Sequence, residues 1–517
     1  MTIPLVLQPI AVLLFASALV PFVDYIGKAV KFVKLRDLFA VAAFAAATWT
    51  VFNLYVEIEG VKPHVMKYSL ENFGPPLGVM FVVDPLSIFM ALLFCGMGLT
   101  VAVYSLKYME HDTGLEKYYS LLLALVAGMV GVVFAGDFFN LFVFWEAMCI
   151  ASYALVAFRK HRWEPVEAGF KYLVMSTFGS ILVLYAMSFI YGLTGTLNFA
   201  YMAERLSSTA MSPMVPYFLI GAIIVGFGVT ASMVPFHEWL PDAHPAAPSG
   251  ISAMLSGVVI KAGVYAMLRA LFTIFSPVSF DYGTALTLFA ILTMTVANFM
   301  ALMQRDIKRL LAYSSIVNIG YILVGIGIGA YVLSRYHAAA PALALSVAVF
   351  AIMGALFHLL NHAIGKGLLF LCSGCFAYRA GTRDLMELEG IGKKMLWTGS
   401  SFSIGLLALA GVPPLNGFWS KLFIILAGFS LPEDNFMKAI AIIVVLNSVF
   451  SASYYLWLVQ RVMLKEPKLR VEGAVEAPVA MVLPIVILAA ACVIIGAWPG
   501  VIIRLAEEVA YTLLGGW

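Results

Sequence analysis

From end to end the chain alternates long apolar runs with short polar connectors, and no hydrophilic stretch exceeds about 20 residues. A helix needs roughly 20 apolar residues to cross the hydrocarbon core of a bilayer. Inside lipid the backbone is satisfied only in helices and closed barrels. By that measure about fourteen runs qualify, near 4–26, 36–56, 80–104, 118–136, 138–158, 168–192, 213–240, 249–274, 282–303, 309–332, 341–377, 398–428, 437–463 and 479–504. With 62% hydrophobic and 11% charged residues there is no room for a soluble domain. The expected fold is all-α integral membrane, one polytopic domain over 1–517. The first run has no basic segment before it and no small-residue cleavage site after it, so it is expected to remain as a span.

Charge placement supports the count. With loop 27–36 in the cytoplasm and strict alternation from there, twenty of the 31 Lys/Arg fall in or beside inside loops: 27–36, 105–117, 159–167, 304–309, 378–397 and 461–478. Six fall outside, and five (Lys171, Lys261, Arg269, Lys366, Lys421) lie within spans. That bias fits the positive-inside rule with both termini on the outer face.

Two runs carry proline well inside them: Pro235 in 213–240, and Pro413-Pro414 in 398–428. Each proline removes a backbone donor and clashes with the preceding turn, which predicts interrupted helices. They are the seventh and twelfth spans, each the fourth in a run of five (4–8 and 9–13). This is the pattern of two inverted five-helix repeats, 118–274 and 282–463. The run 341–377 would make a helix of about 55 Å, and a break or kink is expected at Gly365 or Gly367.

Titratable residues inside the apolar runs are the candidates for function. A charge at the bilayer centre costs roughly 2.5–3.5 kcal/mol on insertion scales, so each needs a partner or a task. Glu146 lies mid-run in FFNLFVFWEAM, and Lys261 has about twelve residues of helix on either side. Proton exchange and permanent pairing are both open to them. His358, His362 and Lys366 follow at intervals of four, on one helical face. A proton relay suits them best, ahead of a hydrogen-bonded core or a metal pair. Lys421 follows the Pro413-Pro414 break and is placed at one end of the polar path. His237, Glu238, Asp242 and His244, after Pro235, form either an entrance or simply a polar loop. Lys171 and Glu167 open the sixth span, where reaching to the interface accounts for them.

Other chemistries fail on spacing. HEWLPDAH (237–244) has its second histidine too far on for a zincin, and Gly365-Lys366-Gly367 lacks the rest of a P-loop. Cys372 and Cys375 sit in an apolar helix with no second ligand pair, which favours packing over a redox or zinc site. No cofactor, metal or nucleic-acid site is expected.

The stretches VDPLSIFMALLF (83–94), FFNLFVFWEAM (138–148), MVPFHEWLPDAHPAAPSGISAMLSGVVIKAGVYAMLR (233–269), QRDIKRLLAYSSIVNIGYILVGI (304–326), FHLLNHAIGKGLLFLCSG (357–374) and GVPPLNGFWSK (411–421) carry a resemblance. Together they resemble the antiporter-like membrane subunits of respiratory complex I, Mrp-type Na⁺/H⁺ antiporters and membrane-bound [NiFe] hydrogenases. HPAAPSGISAMLSGVVIKAGVYA is most similar to the hydrogenase-type branch. The resemblance implies fourteen core helices, two inverted repeats and a central hydrophilic axis. It assigns Glu146, Lys261, the relay His358–His362–Lys366 and Lys421 to that axis.

One position departs. The family usually has a lysine five residues before the V-P proline of the seventh helix, and here that position is Thr230. Either another cation stands in beside Glu146, with Lys171 the candidate, or this half is silent. With the sequence ending at Trp517, the long lateral helix of the largest complex I relative is not expected here. The expected function is therefore an ion-translocating subunit, for protons, Na⁺ or both. It would sit among other membrane and peripheral subunits, homologous antiporter-like subunits included, in a prokaryotic plasma membrane. A redox complex of the hydrogenase or complex I type is the first expectation for the host. An Mrp-type antiporter, a non-pumping scaffold and a self-sufficient secondary transporter are the alternatives.

Overall fold

The computed structural model describes residues 3–60, 64–69, 78–208, 211–212 and 214–515; Trp517 lies outside them. Ahead of the first break stand α1 (Gln8–Ala29), α2 (Leu35–Glu59), α3 (Pro85–Tyr108), α4 (Leu115–Phe134), α5 (Phe138–Val156), α6 (Trp163–Thr194) and the short α7 (Phe199–Ser208). The seventh span is split into α8 (Met214–Thr230) and α9 (Trp239–Ala246), on either side of Pro235. The eighth is α10 (Ser249–Met254), a wider π-helical stretch at Leu255–Val259, and α11 (Ile260–Ile274). Then follow α12 (Gly283–Leu302), α13 (Ile307–Tyr336), α14 (Pro341–Ala380) and the single turn α15 (Ile391–Lys394). The twelfth span is split into α16 (Leu396–Ala410) and α17 (Asn416–Phe429), and α18 (Asn435–Val459), α19 (Val479–Ala497) and α20 (Gly500–Gly515) complete the chain. Among the described residues twelve helical stretches are long and apolar enough to cross a membrane, and the two split ones bring the crossings to the expected fourteen.

Helix starts are set by side chains that satisfy the first free amides. Asp84 accepts from Ser87 N at 2.8 Å while the Ser87 hydroxyl takes the Asp84 amide, a full capping box, with Pro85 at the first helical position. Asp137 opens α5, Asp306 opens α13 and Asp434 opens α18 in the same way. At the break after α16, Gly411 has φ +88°, a conformation open to glycine because it has no Cβ.

The helices form two compact units. One comprises Met1–Ala231 and Val258–Ser276, and the other Ser232–Gly257 and Pro277–Leu514. In the first, α11 packs on α8 and α4, and α6 packs on α5 and α8. Arg269 on α11 is buried with Asp84, Nη2 to Oδ2 at 2.7 Å, so the cap of α3 doubles as the partner of a membrane-depth guanidinium. In the second, α13 is buried along nearly its whole length between α12 and α14, and α10 packs on α14.

Two expectations are corrected. The third span does not begin at residue 80: Met80–Val83 form β2, paired antiparallel with β1 (Met66–Ser69), and the helix starts only where Asp84 and Pro85 permit. Among the described residues the fold is thus all-α apart from this antiparallel strand pair and isolated bridges. The stretch 341–377 is not broken at Gly365 or Gly367; α14 runs unbroken for 40 residues, about 60 Å. A Cβ on Gly365 would lie 3.1 Å from Leu409 Cδ2, so the glycine serves close packing of α14 against α16.

Candidate ion-translocation site

In the second unit, α14 carries His358, His362 and Lys366, all fully buried. The i, i+4 spacing lays the two imidazoles parallel, 6.4 Å apart with planes inclined by 5°. Lys366 Nζ donates to Leu311 O at 3.0 Å and to the Ser314 hydroxyl on α13. Asn318, one turn on, donates to Ser314 O at 2.6 Å and presents its Oδ1 to His358 Nε2 at 3.1 Å. The other ring nitrogen of His358 lies 2.9 Å from the Ser420 hydroxyl on α17.

Beside Ser420, Lys421 donates to Leu409 O at 2.7 Å, Ala410 O at 3.4 Å and Ser448 Oγ at 3.3 Å. The first two are final carbonyls of α16, where a helix end carries partial negative charge. The break at Pro413-Pro414 therefore gives the ammonium its seat. Tyr321 joins the two ends: its ring stands edge-on to His358 at 5.5 Å and faces Lys421 Nζ at 4.9 Å. The expected residues His358, His362, Lys366 and Lys421 thus lie in one polar line, completed by Ser314, Asn318, Tyr321 and Ser420.

In the first unit, Glu146 on α5 is half-buried and its Oε1 accepts a short hydrogen bond from Ser180 on α6. Thr230 is the last residue of α8, and Lys261 is fully buried on α11. A Cβ on Gly263 would meet Thr230 Cβ at 3.0 Å, so α11 crosses the end of α8 in direct contact. Lys171 lies on the exposed side of α6, 2.9 Å from Glu167, as an interfacial pair would.

His237 and Asp242 both meet α13, by different means. His237 is buried, with its ring 6.4 Å from Tyr313. Asp242 is half-buried and 3.1 Å from Arg309. Among the described residues no group of His, Cys, Asp and Glu is arranged to hold a metal ion.

Sequence reasoning overlooked Ser314, Asn318 and Tyr321. Their spacing in LLAYSSIVNIGY was the available signal, since i, i+4, i+7 marks a single helix face. It also overlooked Lys308, buried with its Nζ 2.9 Å from Ala247 O.

Two broken helices and a buried line of lysine, histidine and hydroxyl groups, set among helices long and apolar enough to cross a membrane, mark the class of multi-pass membrane proteins with polar groups at depth. Comparison with known proteins gives the family. Residues 135–343 and 336–451 match the membrane family of NADH:quinone oxidoreductases and Mrp antiporters, and 73–119 match the N-terminal region of complex I chain 5. The chain is 32% identical over 453 residues to NADH-quinone oxidoreductase subunit N of Desulforudis audaxviator, covering 84% of this chain and 85% of that one. It is 30% identical over 478 residues to a subunit of the Na⁺/H⁺ antiporter of Alkalihalophilus pseudofirmus, covering 92% and 91%. A chain of the membrane-bound sulfane sulfur reductase, an archaeal respiratory membrane complex, superposes with a TM-score of 0.84 at 31% identity, over 98% of this chain and 97% of that one. The protein belongs to the NADH:quinone oxidoreductase/Mrp antiporter membrane family. It is an antiporter-like, multi-pass membrane subunit of the complex I, Mrp and hydrogenase type.

Proposed function

We propose that this subunit moves protons, Na⁺ or both across a prokaryotic plasma membrane, within a multisubunit redox complex of the hydrogenase or complex I type. The hydrogen-bonded line from Lys366 through Ser314, Asn318 and His358 to Ser420 carries the reading. His358 has a polar partner on each ring nitrogen, so a proton taken at one can leave from the other without the ring turning. The lysines at the ends hold or release charge. Between them the Ser314 hydroxyl meets the lysine, and Asn318, which donates to the Ser314 backbone carbonyl, meets the histidine. Electrons stay in partner subunits, and this chain answers their chemistry by moving charge.

Several finer features belong to the same proposal. The repeats 118–274 and 282–463 are related by inversion, an idea supported by the breaks that end α8 and α16. Both termini face outward. Lys261 and the entrance residues His237 and Asp242 are assigned to the same task as Glu146; with Thr230 at the lysine position, the charge beside Glu146 has to come from another cation, for which Lys171 is the side-chain candidate. The hydrogenase-type host is favoured by the stretch 244–266, whereas purification without any redox subunit would place the protein in an Mrp antiporter.

Thr230 favours one rival, a subunit in which the Glu146 half is silent. The discriminating measurement is ions moved per electron by the assembled complex in inside-out vesicles. Lys366→Met is expected to lower that ratio with assembly intact, and Glu146→Gln to lower it further. A ratio unchanged by Glu146→Gln establishes the half-silent subunit, and one unchanged by both variants establishes a scaffold.

A further inference from the structure

Thr230 ends α8 with its side chain 1% exposed, and its Oγ1 has no oxygen or nitrogen partner. A buried hydroxyl in that state costs free energy unless something fills its coordination. Close helix packing gathers other oxygens around it. A Cβ on Gly179 of α6 would meet Gly226 O of α8 at 2.7 Å, so the two backbones touch. Ser176 and Ser180 flank that contact on α6, and Thr230 lies one turn beyond it on α8. The hydroxyls of Ser176 and Thr230 both face the Cys149 thiol, three residues along α5 from Glu146. Ser180 itself holds Glu146. The Glu146 carboxylate and the hydroxyls of Ser176, Ser180 and Thr230 therefore lie on the faces of α5, α6 and α8 that meet near the C-terminal end of a half-helix.

The other broken helix sets the contrast. Its last carbonyls are held by the Lys421 ammonium, whereas the last turn of α8 contains no basic residue. A carboxylate at bilayer depth calls for neutralising charge. A monovalent cation balances it, and a divalent one would leave an excess. Hard carboxylate, hydroxyl and carbonyl oxygens suit an alkali cation rather than a thiophilic or imidazole-seeking metal. The ends of half-helices are where transporters of known architecture hold Na⁺.

We propose that Glu146, Ser176, Ser180 and Thr230 form a Na⁺-binding site at the end of α8. The inference rests on the ion-translocating reading above and names the ion that this half of the protein handles. Bound Na⁺ supplies the positive charge beside Glu146, reversibly, where a lysine side chain would supply it permanently.

The test uses the assembled complex in inside-out vesicles, with Na⁺ varied against K⁺ at constant ionic strength. Thr230→Val keeps the shape and removes the oxygen, and should raise the Na⁺ concentration for half-maximal ion movement roughly tenfold. Thr230→Ser should stay near the natural protein, and Thr230→Lys should abolish Na⁺ dependence by placing an ammonium on the spot. Should the valine variant fail to assemble, Ser180→Ala carries the same expectation. An unchanged half-saturation in Thr230→Val, or K⁺ serving as well as Na⁺, overturns the site. Lys366→Met separates this from the function itself: ion movement lost there, with Na⁺ dependence untouched in Thr230→Val, leaves the translocating reading standing and removes the Na⁺ site. Should Lys366→Met move ions normally, equilibrium binding of radioactive Na⁺ to the purified complex still decides, because Thr230→Val must weaken it.

Discussion

Asn318 touches both the lysine and the histidine halves of the polar line, through Ser314 O on one side and His358 Nε2 on the other, and it also donates to Tyr455 OH at 3.2 Å. Replacing it by leucine keeps the branched heavy-atom shape but leaves a buried imidazole nitrogen and a phenol without this partner, at a cost of about 1–3 kcal/mol. Asn318→Leu is expected to lower the melting temperature of the complex measurably and to slow ion movement more than it destabilises the fold. Equal loss of both would assign Asn318 to packing alone. The residue shows where sequence reading reaches its limit. Lys261, Lys366 and Lys421 announce themselves because a charge in hydrocarbon demands an explanation. A neutral amide or hydroxyl in a helix is ordinary, and only its spatial neighbours give it meaning. Thr230 was legible only as a departure from a resemblance; its buried hydroxyl needed the three-dimensional arrangement.

Elements were read well where chemistry forces a break and poorly where glycine leaves a choice. Pro235 and the pair Pro413-Pro414 cannot continue a helix, and both spans are split there. Gly365 can continue one, at about 1 kcal/mol relative to alanine, and packing of Leu409 against α14 offsets that. The same logic yields a sharp contrast among glycines. A Cβ on Gly417 would collide with the Ala408 carbonyl oxygen, backbone that cannot turn aside. Gly417→Ala should unseat α17 from α16, cost about 1–3 kcal/mol or more, and displace Lys421 from its carbonyls. Gly192 has nothing within 4 Å of its Cβ position, so Gly192→Ala should leave thermal stability the same or slightly higher. A second element-scale prediction concerns the tie between α3 and α11. Asp84→Ala removes a helix cap and strands the buried Arg269 charge, an expected loss of about 3–5 kcal/mol. Assembly yield and the melting temperature report it; a drop no larger than an ordinary cap, near 1 kcal/mol, would show that Arg269 finds another partner.

At the scale of the whole molecule, the loops that charge counting assigned to one face meet one another within each unit. In the first unit Lys34 lies 3.8 Å from Glu110 and Arg159 lies 2.8 Å from Asp112, joining 27–36, 105–117 and 159–167. In the second, Arg383 pairs with Asp306 at 3.1 Å and Lys393 with Glu466 at 2.7 Å, joining 304–309, 378–397 and 461–478. Glu389 binds the last two more firmly: burial alone would raise its carboxyl, but the Lys468 hydrogen bond and the Arg461 guanidinium hold it below the usual range. Connectors assigned to the opposite face also meet, Arg335 with Asp281 at 3.7 Å and Tyr336 with Asp434 at 2.7 Å. Within the second unit, an error of one span would have mixed the two sets. Packing thus agrees with the alternation, while the side each set faces rests on the Lys/Arg bias alone. Cysteine labelling decides that. All five natural cysteines are buried, which keeps the background low. Val30 is 70% exposed and Leu469 is 89% exposed in the basic loops, and Val278 is 44% exposed on the other set. With a membrane-impermeant maleimide on intact cells, Val278→Cys should react at once, while Val30→Cys and Leu469→Cys should react only after permeabilisation. The reverse pattern would invert the protein in the membrane. Opposite behaviour of Val30→Cys and Leu469→Cys would break the fourteen-span count, because an even number of crossings separates the two loops.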